Sequence, residues 1–202
     1  MVSRVWILRL AGAVGVMLAS ASCGDAVRQG TSSSYLIIEK LEAAKGSEEG
    51  TFTTNLISDV VTVVNGNSTI FNDLGKVTFS LALKNPGPAT GPTTPSQNNF
   101  ITVDRYHVSF VRSDGRNTPG VDVPYPFDGA FTVTVSDNAE SGFVLVRNQA
   151  KREAPLAALA LNGSLISTIA VVTFYGHDQT GRVVTAEGRI DVTFGNFADP
   201  TS

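Results

Sequence analysis

A single cysteine, Cys23, stands among 202 residues, so no disulfide can form within the chain and no multi-thiolate metal site can be built. Histidine is nearly as scarce. His107 and His177 lie on distant segments, whereas metal sites generally draw three or four ligands from His, Cys, Asp or Glu. No D-x-D-x-D run supplies the oxygens that calcium takes, and Asp114, Asp122, Asp128, Asp137 and Asp178 read more simply as Asx-turn residues. The G-x-S-x-G elbow, the H-E-x-x-H zinc motif and the glycine-rich strand-to-helix loop are all missing. On these grounds no catalytic residue, no metal and no cofactor is assigned. A hydrolase of unrecognised type would have to use His107 or His177 as its base.

Charge is also modest. The chain has 15 basic and 18 acidic residues, without the basic face that a phosphate backbone requires, so nucleic acid is not an expected partner. Apart from the start of the chain, no stretch approaches the roughly 20 apolar residues of a membrane-spanning helix.

The start of the chain has the layout of an export signal. Arg4 and Arg9 precede the uncharged apolar stretch Leu10 to Ala19, and small residues follow in Ala19-Ser20-Ala21-Ser22-Cys23. Two processing readings compete. Ala19-Ser20-Ala21 fits an ordinary A-x-A site that would release a soluble, secreted protein. Ala21-Ser22-Cys23 resembles the bacterial lipobox, with Ser20 at the place usually held by Leu. That resemblance implies acylation of Cys23 and anchoring in a bacterial membrane, facing the periplasm or the cell surface. It also accounts for a lone cysteine in an oxidising compartment. Several acyl chains hold a protein stably where one would not. The expected organisation is a signal peptide over 1–22, a flexible tether over 23–34, one domain over 35–197 and a tail over 198–202. Loss of Arg4 and Arg9 with the signal leaves 13 basic residues against 18 acidic, a formal charge of −5.

After Ser34 the dominant pattern has period two. Val77, Phe79, Leu81 and Leu83 alternate with Thr78, Ser80 and Lys84, as a strand with one buried face requires. Phe131–Ser136 and Val184–Phe194 repeat the pattern, and further strands are predicted at 35–41, 56–64, 105–112, 142–147 and 166–175. Asn65-Gly66 and Ser113-Asp114-Gly115 are turn signals, and two proline-rich loops run over Asn85–Asn98 and Thr118–Phe127. Pro155 followed by Leu156–Leu161 and Asn162-Gly163 predicts one short crossover helix. Asn67-Ser68-Thr69 and Asn162-Gly163-Ser164 match the glycosylation pattern and are read as turns.

About eight short strands with one short helix predict an all-β antiparallel sandwich. The segment Val171 to Val192, with Asp178-Gln179-Thr180-Gly181 at its turn, resembles the closing hairpin of bacterial immunoglobulin-like domains. That resemblance implies the sandwich fold and leaves the partner open. The function expected is a non-enzymatic binding or structural component of the cell envelope, in contact with envelope proteins. The alternative is a carbohydrate-binding module. The mature chain offers only Tyr35, Tyr106, Tyr125, Tyr175 and its phenylalanines as a platform, and Tyr125, between Pro124 and Pro126, is the candidate binding residue for a glycan or a protein.

Overall fold

The computed structural model describes residues 32–48 and 50–198. Cys23, the signal segment 1–22, most of the expected tether and most of the tail lie outside the described residues. Among those described, the fold is all-β, and no helix is long and apolar enough to cross a membrane.

Among the described residues there are ten strands rather than about eight: β1 (Ser34–Ala44), β2 (Asn55–Asp59), β3 (Thr62–Val64), β4 (Asn67–Thr69), β5 (Asp73–Leu83), β6 (Ile101–Val111), β7 (Phe127–Val135), β8 (Asn138–Val146), β9 (Ile166–Asp178) and β10 (Val183–Gly195). One sheet has the order β1-β5-β8 and the other β2-β10-β9-β6-β7, while β3 and β4 form a separate hairpin. Its two-residue turn is Asn65-Gly66, with φ of 52° and 77°, the positive pair that such hairpins favour. The expected strand over 56–64 is therefore broken. Asp59 accepts hydrogen bonds from the Thr62 hydroxyl at 3.3 Å and the Phe197 amide at 3.2 Å, which turns the chain out of β2.

The antiparallel expectation also needs correction at one edge. β2 runs parallel to β10, with Leu56 opposite Val192 and Asp59 opposite Gly195, so the five-stranded sheet is mixed. Every other pair is antiparallel.

Alternation decides what fills the space between the sheets. Val77, Phe79 and Leu81 of β5 point inward, as do Ile101, Val103, Tyr106, Val108 and Phe110 of β6 and Ala170, Val172 and Phe174 of β9. The rings interlock across the gap. Phe79 meets Phe174 edge-on with centroids 5.0 Å apart, and Phe143 of β8 meets the same ring at 5.5 Å. Tyr106 reaches Phe143 at 5.1 Å. Such edge-to-face pairs add about 0.5–1.5 kcal/mol each beyond area burial. In a chain without a disulfide they tie one sheet to the other.

The expected helix after Pro155 is present as a 3-10 helix, Leu156–Leu161, preceded by a four-residue α-helix, α1 (Asn148–Lys151). Leu156 and Leu159 are its buried residues, and spacing of three matches a three-residue turn better than an α-helix. It carries the chain from β8 in one sheet to β9 in the other, as a crossover should. Asn196 holds it in place by donating to the Ala160 carbonyl at 3.1 Å.

Candidate functional site

The two sheets leave a groove at the end where β1 begins. Its position follows from the pairing register. Tyr35 lies opposite Ala82 near the end of β5, which puts its ring beside Lys84. Arg105 lies opposite Tyr175, across β6 and β9. The register of β6 shifts between Val103 and Arg105 against both neighbours, so Asp104 and Arg105 are both exposed where strict alternation would hide one.

Each cation covers an aromatic ring. Lys84 Nζ is 5.1 Å from the Tyr35 centroid, and the Arg105 guanidinium carbon is 4.6 Å from that of Tyr175. Between these stacks runs a cavity of about 610 Å³, lined also by Ser32, Ser34 and the first residues of β10, Val183 to Thr185. Tyr35 remains 55% exposed. Ser34 is 1% exposed, and its hydroxyl has no hydrogen-bond partner.

The start of β1 is fixed rather than loose. The Ser34 amide donates to the Ser32 hydroxyl at 3.2 Å, the Lys84 amide to the Ser33 carbonyl at 2.9 Å, and the Asn99 side-chain amide to the Ser33 hydroxyl at 2.7 Å. The last residues of the expected tether thus belong to the domain. The proline-rich loop over Asn85–Asn98 leaves from the same end, and the loop over Thr118–Phe127 lies at the other.

Asp178 closes this end. Its Oδ1 accepts from the Thr180 amide at 2.9 Å, the Thr180 hydroxyl at 2.6 Å and the Arg182 amide at 3.0 Å. Burial pushes its carboxyl up, but these bonds and the Ser32 hydroxyl outweigh burial and hold it below the usual value. The Asx-turn reading of Asp178 therefore describes its geometry. Asp114 does the same at the far end, where Arg112 and Arg116 hold its carboxyl well below the ordinary range. Asp122 accepts from the Thr118 amide at 3.2 Å.

The two histidines sit on the outer face of the five-stranded sheet. His107 Nδ1 is 3.0 Å from Asp128 Oδ1 across β6 and β7, and His177 Nε2 is 3.8 Å from Asp104 Oδ2. His177 lies within β9, and the two histidines form separate pairs flanking Arg105 and Tyr175. No group of three His, Cys, Asp or Glu residues among those described is placed to hold a metal.

Tyr125 is half-exposed in the 118–127 loop, at the end opposite the groove. Its ring lies over Gly120, where an added Cβ would meet Tyr125 Cζ at 2.3 Å. Tyr35 and Tyr175, rather than Tyr125, are the tyrosines that line the cavity. A second feature was illegible in the sequence. Lys151 Nζ lies 2.9 Å from Asp73 Oδ2, with both side chains almost fully buried, and Asp73 accepts from the Ser58 hydroxyl at 2.6 Å and the Gly46 amide at 3.1 Å. Compared with protein-family models, curated proteins and solved structures, the chain matches none.

Proposed function

We propose that this chain is an exported lipoprotein of the bacterial cell envelope, anchored through acylated Cys23, whose immunoglobulin-like domain binds an envelope component and performs no catalysis. Strand order supports the immunoglobulin-like reading. In that fold strands A, B and E share one sheet and C, F and G the other, with C′ added in the variable type. Here β1, β5 and β8 take the first set of places, β6, β9 and β10 the second, and β7 that of C′.

The observation that carries the binding role is the groove, because a half-enclosed cavity of about 610 Å³ between two cation-covered tyrosines is a ligand-sized recess on a rigid scaffold. It begins at Ser32, a short stretch of chain from Cys23, so an anchored protein would hold it near the membrane. Binding is favoured over hydrolysis by the placing of the imidazoles. Each histidine is paired with an aspartate on a sheet surface, and no serine hydroxyl among the described residues hydrogen-bonds to either ring.

A photocrosslinking residue tests this in cells. Placed at Val183, in the groove wall, it captures an envelope component. Placed at Leu161, 92% exposed at the opposite end, it captures far less. Equal capture at both positions would count against the groove as the binding surface.

A further inference from the structure

We infer that the groove takes an acidic saccharide, with a sugar ring against a tyrosine and the sugar carboxylate on Arg105. This rests on the binding role proposed above and names the class of its ligand.

Three features of the groove converge on that chemistry. First, Tyr35 and Tyr175 offer rings that are apolar on the face and polar at the hydroxyl, which suits the C–H face and the hydroxyl rim of a pyranose. Tyr35 keeps more than half of its surface open while Lys84 covers one side. Second, both rings carry a cation at about 5 Å, so a sugar stacked on either ring brings a ring substituent within reach of positive charge. Among the described residues Arg105 forms no ion pair with a carboxylate, and its planar fork matches a carboxylate in two-point contact. Third, the Ser34 hydroxyl is buried in the wall without a partner. A buried polar group left in that state is costly, and a ligand hydroxyl or an ordered water can satisfy it.

A membrane surface presents anionic headgroups too, but it fits less well. Each cation lies over a tyrosine ring, and the mature chain is acidic at −5, which opposes approach to a planar anionic surface. A short oligosaccharide meets mainly the local charge.

Calorimetry on the purified protein with trigalacturonate, its methyl ester and maltotriose tests the inference. Trigalacturonate binds, whereas the ester and maltotriose bind about tenfold or more weakly, because they lack the charge that the guanidinium reads. Arg105→Ala and Tyr35→Ala each weaken trigalacturonate about tenfold with the thermal midpoint unchanged, Arg105→Lys weakens it less, and Leu161→Ser leaves it unaltered. Equal binding of all three sugars, or acid-sugar binding indifferent to Arg105 and Tyr35, overturns the inference. So does binding to phosphatidylglycerol vesicles that Arg105→Ala abolishes while trigalacturonate is ignored. If no sugar binds but crosslinking at Val183 still captures a partner, the saccharide class is wrong and the binding role survives. Loss of both removes the binding role as well.

Discussion

The Val144 backbone amide donates to the Tyr106 hydroxyl over 3.2 Å, joining β8 of the three-stranded sheet to β6 of the five-stranded one. The ring between them is 4% exposed and touches Phe127, Phe131 and Phe143. Burial pushes its phenol pKa up, so the hydroxyl stays neutral throughout the physiological range. One side chain thus both fills the core and satisfies a strand amide across the gap.

Tyr106→Phe should separate those two roles. Losing only the hydroxyl leaves the Val144 amide without its acceptor and costs about 1–3 kcal/mol, whereas Tyr106→Ala also empties the cluster and costs about 3–5 kcal/mol, both read from urea unfolding. Gly129→Ala tests the same contact from the other side. Its added Cβ would lie 2.2 Å from Tyr106 Cζ, so the ring must move, at a cost of about 1–3 kcal/mol.

The buried pair Lys151–Asp73 should behave asymmetrically. Lys151→Met strands a buried carboxylate and costs about 3–5 kcal/mol, while replacing both partners by apolar residues recovers much of that loss. Ser58→Ala removes one of the hydrogen bonds to Asp73 and costs less, about 1–2 kcal/mol. A double variant as unstable as Lys151→Met would contradict the stranded-charge explanation.

Asp178 gives stability a pH dependence of known sign. Its folded-state pKa lies below the ordinary 3.8, so the unfolded chain takes up the proton first. Its contribution is therefore complete above the unfolded pKa and fades as pH falls through the lower folded value. The stability gap between wild type and Asp178→Asn should be widest near about pH 6 and shrink on acidification towards about pH 2. A gap that grows on acidification would reverse the sign and contradict the assignment.

What could be read from the sequence followed from local chemistry. The alternation of β5 and the Asp178-Gln179-Thr180-Gly181 turn between β9 and β10 depend on neighbours along the chain, and both are found where the pattern puts them. The start of β6 was missed because the register shift beside Asp104 breaks the period there. The pairing of β2 with β10 depends on residues at opposite ends of the domain, and nothing in Asn55–Asp59 announces a parallel partner. The groove was hidden for the same reason: Tyr35 meets Lys84, and Arg105 meets Tyr175, only through strand pairing. Tyr125 is exposed, as its flanking prolines suggest, while its contact with Gly120 depends on how the loop folds back.

Metabolic labelling with a fatty-acid probe tests the proposed anchoring through Cys23 most directly. Wild-type protein should be labelled and recovered with membranes, and Cys23→Ser should be unlabelled and recovered free of them. Equal labelling of the two forms, or no labelling of either, would contradict the anchor on Cys23.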